Sequence, residues 1–342
     1  MTIELRSDNT AGVAAEILAA VIEANDGAAP AYGDDQWSGG LRDIVREVFE
    51  HPTAEIFPVS TGTAANSLSL SAICPPWGAV LCHETAHIMQ SEGGATSLLS
   101  GGAVMRRVGG DGFRIDPDRL VESFDAVRWG DPHHSQPSVL SLTLPTDFGT
   151  LYTPAQVAEL AEIARSKGLR VHIDGARIAN AIAALGCTPA ELTWRAGADV
   201  VSLGANKNGA MSTDAIVSFD PAASAELIFR TKRAGHVASK MRFQSAQLSA
   251  YLSNGLWLNL ARRANGAMSR LATGLSALGV QAVNQAQANM LFIVITDSAY
   301  EQLTERGLLF HRMGRGQGRL VTSFQTTDAD VDAVLAAFAA VL

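Results

Sequence analysis

The chain has 342 residues, enough for one large domain and a smaller one. Charged residues make up only 18%, below the ~25% of an average soluble protein, which suits extensive buried surface, including a subunit interface. The net charge is −8 and no run of lysines or arginines is present, which excludes the electrostatic footprint of a nucleic-acid or anionic-membrane partner.

The N-terminus, MTIELRSDNT, is polar, so no secretory leader is expected. The longest uncharged window, Ile56 to His83, is broken by Ser, Thr, Asn, Gly and Pro, which argues against a membrane span. Cys74, Cys82 and Cys187 are far apart and form no CxxC pair, so neither a disulfide framework nor a zinc knuckle is indicated. The expected location is the cytoplasm.

In chain order, β-rich runs at Glu55–Val59, Ala79–Cys82, Ala103–Val108, Val139–Leu144, Arg170–Asp174, Val200–Gly204 and Ala215–Phe219 alternate with helical patterns. Pro154–Lys167 is the clearest helix. Proline opens it, apolar residues recur at three- and four-residue spacing, and Gly168 stops it. This alternation predicts an α/β class with a largely parallel sheet, helices on both faces, and sites at the carboxyl ends of the strands. After Phe243 the pattern changes. Gln244–Leu275 reads as one long helical stretch. Short strands follow at Met290–Thr296, Leu308–His311 and Arg319–Phe324, with helices near Ser298–Glu305 and Asp328–Val341. The expected division is an N-terminal arm at 1–15, a large α/β domain at 16–243 and a small C-terminal α+β domain at 244–342.

Three constellations carry chemistry. In EIFPVSTGTAANSLSL (Glu55–Leu70) an apolar run ends at Ser60 and a helix opens at Thr61–Asn66. Free amides there, around Gly62 and Thr63, make a phosphate cup, although a threonine such as Thr63 also caps helices routinely. In His172–Arg177 a strand ends on Asp174, placed to pair with a protonated pyridine nitrogen or to cap the following helix. In Ser202–Gly209 the lysine at 207 ends a buried strand. Desolvation and a nearby cation there lower an amine's pKa and free it to form an imine.

The order of these features, together with SDN at Ser7–Asn9, YGDD at Tyr32–Asp35, ETAH at Glu84–His87, HIDGAR at His172–Arg177, NKNG at Asn206–Gly209, SKMRF at Ser239–Phe243 and RLVTSF at Arg319–Phe324, resembles the low-specificity L-threonine aldolases. These belong to fold type I of the pyridoxal 5′-phosphate enzymes, and the resemblance runs nearly end to end. It implies the fold type I architecture: a large domain around a mostly parallel seven-stranded sheet, plus the small C-terminal domain. It implies pyridoxal 5′-phosphate joined to Lys207, Asp174 at its pyridine nitrogen, Gly62 and Thr63 at its phosphate, and His87 on its ring. It places Arg177 near the cofactor and the substrate carboxylate. Arg319 with Ser7 is implied as the carboxylate grip. Arg242 and Tyr32 are implied to serve a site across the interface of a dimer or tetramer.

The implied reaction is retro-aldol cleavage of L-threonine, L-allo-threonine and related β-hydroxy-α-amino acids to glycine and an aldehyde. Cleavage of aryl or α-methyl β-hydroxy amino acids, or β-elimination, is the alternative. The base for the hydroxyl proton is assigned to His133 or an ordered water, with His87 competing. The segment Leu144–Gly149 departs from the resemblance, which bears on substrate preference rather than on the cofactor. His83-Glu84-Thr85-Ala86-His87 spells HExxH, but His83 follows a strand, whereas a zinc site needs both histidines on one helix face. No metal is expected. The glycine-rich Gly314–Gly318 is expected to be a turn, and His134, His172 and His236 to be structural.

Overall fold

A computed structural model describes residues 2–314 and 316–342, so Arg315 of the expected Gly314–Gly318 turn lies outside the described residues. Among these residues, seven strands form the main sheet: β1 (Glu55–Val59), β2 (Gly78–His83), β3 (Val104–Val108), β4 (Gln136–Thr143), β5 (Arg170–Gly175), β6 (Val200–Leu203) and β7 (Asp214–Ser218). Their order is β1-β7-β6-β5-β4-β2-β3. The pairings from β3 through to β6 are parallel, while β7 runs antiparallel to both β6 and β1. The chain therefore has the expected α/β architecture with a mostly parallel seven-stranded sheet.

Strands β2, β6 and β7 are buried along their whole length because both faces of the sheet are covered there. In β2, Leu81 joins the large apolar cluster of one face, while Val80 and Cys82 join a separate cluster on the other, as the two-residue period of a strand requires. Strand β4 ends at Thr143, one residue earlier than expected, because Pro145 has no N–H to continue the ladder. The helix predicted at Pro154–Lys167 spans Pro154–Ser166. Thr153 Oγ1 accepts from Gln156 N at 3.2 Å and the Gln156 side chain accepts from Thr153 N at 2.9 Å, a reciprocal cap.

The stretch after Phe243 is two helices, Arg242–Leu252 and Leu256–Ala277, rather than one. Ser253-Asn254-Gly255 breaks it, because Asn254 (φ 54°) and Gly255 (φ 68°) take the left-handed conformation that these two residue types tolerate best. Beyond lies an antiparallel sheet of β8 (Met290–Val294), β9 (His311–Arg312) and β10 (Gln317–Val321), ordered β9-β10-β8. The run predicted at Leu308–His311 divides between two sheets. Leu308–Leu309 pairs in parallel with Ile3–Glu4, whereas His311–Arg312 pairs with β10. That N-terminal partner lies some three hundred positions away in sequence, beyond any local pattern. Met268, Leu271, Phe292 and Phe338 are buried in this region, and Met268, Leu271 and Phe338 share one apolar cluster. No helix among the described residues is long and apolar enough to cross a membrane.

Candidate active site

The carboxyl ends of β5 and β6 converge on a cavity of about 260 Å³. Gly62, Thr63, His87, Asp174, Arg177 and Lys207, all expected at the site, line it together. Each is positioned by local sequence. Lys207 lies in a single turn, Asn206–Asn208, directly after β6. Asp214 fixes the approach to that turn by accepting from Ala205 N at 2.7 Å, Asn206 N at 3.0 Å and Asn206 Nδ2 at 3.0 Å. Asn208 Nδ2 donates to Tyr251 Oη at 3.0 Å and to the Trp257 carbonyl at 2.8 Å. Gly209 (φ 108°) leaves the turn in a conformation only glycine adopts freely, with Ala14 Cβ 3.1 Å from where its own Cβ would be. The NKNG motif is thus a tied-down turn that presents one lysine.

The Lys207 amine is held below the usual lysine range, first by the charge of Arg177 and then by burial, against the opposing pull of Asp8, Asp174 and Asp214. A larger neutral fraction makes it a better nucleophile. Asp174 is 1% exposed, and its Oδ1 accepts from Ala176 N at 3.1 Å. It does not cap the next helix, whose N-cap position belongs to Arg177. Beneath it, His172 bridges Ser141 Oγ (2.9 Å) and Ser202 Oγ (3.0 Å) across three strands. Burial pushes its pKa down to about 4, so it is a neutral structural group. At the helix Gly62–Ile73 the cap is Thr61, whose Oγ1 accepts from Ala64 N at 3.1 Å. Gly62 and Thr63 of the first turn line the cavity, and a helix start, whose first amides have no partner within the helix, is a usual anion site.

His87 opens a short helix, His87–Gln90, while His83 ends β2, so the HExxH residues share no helix face. His87 Nδ1 meets Glu92 Oε1 at 2.9 Å, and Asn66 Nδ2 donates to the same oxygen at 2.8 Å. The bond to Glu92 raises the His87 pKa against burial. Arg177 donates twice to Asp8, Nε to Oδ2 at 2.6 Å and Nη2 to Oδ1 at 2.9 Å, and Asn289 Nδ2 donates to Asp8 Oδ2 at 3.0 Å.

The other expected residues are placed differently. Arg319 lies within β10 and donates through Nη2 to the Arg6 carbonyl at 3.2 Å, while its Nε is buried without a partner among the described residues. Burial and the charge of Arg177 hold its pKa below the usual guanidinium value. Ser7 lies next to Arg6, and its Oγ accepts from Asn9 N at 3.2 Å. Tyr32, 56% exposed, lines a separate groove of about 940 Å³, with Lys232 Nζ 4.5 Å from its ring centroid. Arg242 donates to the Gly27 carbonyl at 2.9 Å and stacks near Trp37 and Phe243.

His133 is exposed in the turn before β4, its backbone N bonded to Asp131 Oδ1 at 2.9 Å. That turn precedes the strand, so within one chain an eight-residue strand at about 3.3 Å per residue separates it from the cavity. The structure does not bring His133 to the cavity of its own chain. His134 lies 3.3 Å from Asp131, and His236 Nδ1 accepts from Ser60 N at 3.4 Å.

Several site residues had no sequence signal of their own. Asp8 stood inside the SDN motif without a role, and Asp214 follows NKNG without a motif. Asn66 lies in the Thr61–Asn66 helix start and Asp147 in the Leu144–Gly149 segment, neither with a role of its own, and Glu92 reaches the cavity only through packing. Asn66 Oδ1, Glu92 Oε2, Asp147 Oδ2 and Asn206 Oδ1 belong to residues that line the cavity, and they are buried without hydrogen-bond partners among the described residues. Bare polar atoms beside an amine, a carboxylate and a helix start fit a phosphate-bearing pyridine aldehyde, which offers a ring nitrogen, a phenolic hydroxyl, an aldehyde and a phosphate to them.

The family model described as beta-eliminating lyase matches residues 4–298. The chain belongs to the beta-eliminating lyase family. Within the family, it is 38% identical over 341 residues to the low specificity L-threonine aldolase of Pseudomonas sp. strain NCIMB 10558, covering 99% of this chain and 98% of that protein. It is also 38% identical to the protein of the same name from Pseudomonas aeruginosa, over 95% of this chain and 94% of the relative. In fold it is similar to the threonine aldolase of Leishmania major, with a TM-score of 0.91 at 22% identity over 97% of both chains. It is also similar to the serine palmitoyltransferase of Sphingomonas wittichii, with a TM-score of 0.72 at 16% identity over 99% of this chain and 87% of that one.

Proposed function

We propose that this protein is a pyridoxal 5′-phosphate-dependent aldolase that cleaves L-threonine, L-allo-threonine and related β-hydroxy-α-amino acids to glycine and an aldehyde. The observation that carries this reading is the meeting of Lys207, its pKa lowered by Arg177 and burial, with Asp174 and the Gly62–Thr63 amides in one cavity. When bound, the cofactor supplies an electron sink beside the substrate's α-carbon.

Lys207 Nζ is the amine that joins it. Gly62 and Thr63 would hold its phosphate, Asp174 would keep its ring nitrogen protonated, and His87 and Arg177 would complete its contacts. Arg319, with its buried bare Nε, and Ser7 grip the substrate carboxylate together with Arg177. An arginine grip on the carboxylate fixes rotation about the N–Cα bond, and so selects which bond at Cα is broken.

Incubation with L-threonine and identification of the products tests the reading. Acetaldehyde with glycine is expected. Release of 2-oxobutanoate and ammonia instead would replace aldol cleavage with elimination.

We infer a homo-oligomer, dimer or tetramer, in which Tyr32 and Arg242 serve a neighbouring site, since both lie outside the cavity of their own chain. Dilution to monomer, followed by light scattering and product release together, is expected to abolish activity. A fully active monomer would remove the shared-site role of these two residues. We further infer the division into an arm at 1–15, a large domain at 16–243 and a small domain at 244–342, supported by the separate apolar cluster around Met268 and Phe338. A cytoplasmic location agrees with three free cysteines, two of them with thiols that burial pushes up to about 12.

A further inference from the structure

Four of the acidic side chains in and around the cavity are already engaged. Asp8 is held by Arg177 and Asn289, Asp174 by Ala176 N, Glu92 by His87 and Asn66, and Asp214 by Ala205 and Asn206. Asp147 is different. It lines the cavity, and its Oδ2 is buried without a hydrogen-bond partner among the described residues; Glu92 Oε2 is bare as well, but Glu92 is held through Oε1 by two partners, whereas the Asp147 carboxyl is held by none among them. A buried carboxylate oxygen left bare carries a desolvation cost with no return within the empty protein, which marks it as a group held for something else.

Asp147 is also firmly placed. It sits in the turn Thr146–Thr150, where Thr146 N donates to the Thr150 carbonyl at 2.9 Å and Gly149 N to the Thr146 carbonyl at 2.8 Å. The two threonine hydroxyls meet at 2.7 Å. The next ring, Phe148, stacks on Phe113 (centroids 3.7 Å apart) and on Phe292 of β8 (4.7 Å). Asn284 Nδ2 donates to the Phe148 carbonyl. The turn is therefore clamped from both sides, and a clamped turn presents a carboxylate without reorganisation. Burial and the charge of Asp174 push its pKa up to about 6, against His87, Arg177 and Lys207. Arg319 also senses its charge, and His83 lies across a small adjoining pocket.

We propose that Asp147 is a catalytic residue of the aldol cleavage: its carboxylate accepts the proton of the substrate's β-hydroxyl as the Cα–Cβ bond breaks. This rests on the aldolase reading above. The O–H electron pair becomes the second bond of the aldehyde carbonyl, and the Cα–Cβ pair stays with the α-carbon. That carbon takes up one proton to give glycine, so the proton accepted by Asp147 is balanced by one delivered and no oxidant is needed. The rival acceptors are poorer. His87 is bound through Nδ1 to Glu92, which favours its protonated form, and His133 is at the far end of β4.

The test is Asp147→Asn in the cofactor-loaded full chain, with Asp147→Ser as a second variant should the first fail to load. Threonine cleavage is expected to lose about 100-fold or more in kcat, with KM changed little. The acid limb of the wild-type rate profile, centred near pH 6, is expected to vanish. Exchange of glycine's α-hydrogen with D₂O, which involves no β-hydroxyl, is expected to continue at the wild-type rate. In the cofactor-free full chain, infrared difference spectra between pH 5 and pH 7 should show a carboxyl titrating near 6 that the variant lacks. Asp147→Glu, which keeps a carboxyl, should recover part of the cleavage and keep the acid limb. Cleavage within about tenfold of wild type, an acid limb that persists in Asp147→Asn, or glycine exchange lost in step with cleavage overturns the proposal. A wild-type protein that releases no aldehyde from any β-hydroxy amino acid overturns the aldolase reading instead.

Discussion

Replacing Lys207 with alanine is expected to remove both threonine cleavage and the near-visible absorbance of the cofactor-loaded protein, while leaving the fold intact. The fold should survive because the Lys207 amine makes no hydrogen bond or ion pair among the described residues, and the turn that carries it is tied by its neighbours Asn206 and Asn208. The chemistry should not survive, because among the described residues no second amine lines the cavity to take over. Loss of the joining nucleophile is expected to cost at least the 10²–10⁴ typical of a single proton-transfer group, and more where it acts in several steps. Absorbance spectra, product assays, and borohydride reduction followed by peptide mapping check this directly. The wild type should carry the reduced cofactor on the peptide containing Lys207 and the variant nowhere. A variant that still traps cofactor covalently, or cleaves at the wild-type rate, would contradict the assignment.

The second large effect is on stability and lies at Asp8. The Asp8 and Arg177 side chains are 1% and 12% exposed, and they meet through two hydrogen bonds. Asp8→Ala leaves Arg177 buried without its counter-charge, and breaking a buried pair in this way costs about 3–5 kcal/mol. The thermal midpoint of the cofactor-free chain should fall by several degrees. Arg177, freed from its clamp, should also raise KM for the amino acid. Burial works against ionisation of Asp8, but the charge and hydrogen bonds of Arg177, with Lys207 and Asn289, outweigh it and hold the carboxyl below its ordinary value.

A carboxyl whose pKa is lower in the folded than in the unfolded chain stabilises fully above the unfolded value, near ~3.9, and that stability is lost as pH falls through the lower folded value. The wild type should therefore lose this contribution only in acid, below about pH 4, and Asp8→Ala should lack it throughout. An Asp8→Ala midpoint equal to wild type at neutral pH would show that solvent reaches Arg177 and that the pair is not a buried one.

These two residues mark the boundary between what was legible in the sequence and what was not. Lys207 and Asp174 are legible at strand ends because apolar runs reveal parallel strands, and a parallel sheet gathers its carboxyl ends on one edge. Gly62 and Thr63 are legible in the same way, at a strand-to-helix junction. The limits of the local pattern show at Ser253–Gly255, where apolar periodicity runs on through a left-handed break, and at Leu308–His311, where one run serves two sheets. His133 shows another limit: a histidine beside a strand is at the site or on the far side according to which end of the strand it flanks.

The architecture and the positions of Lys207, Asp174 and the helix start are legible along the chain, because periodicity and strand–turn–helix order are local properties written into consecutive residues. How those groups are tuned depends on packing between distant elements. Asp8 finds Arg177 across 169 positions, His87 is set by Glu92 and Asn66, and Asp147 is left bare on a turn clamped by Phe113, Phe292 and Asn284. Charge and desolvation at a site are sums over neighbours drawn from many elements, and those sums exist only once the chain has packed.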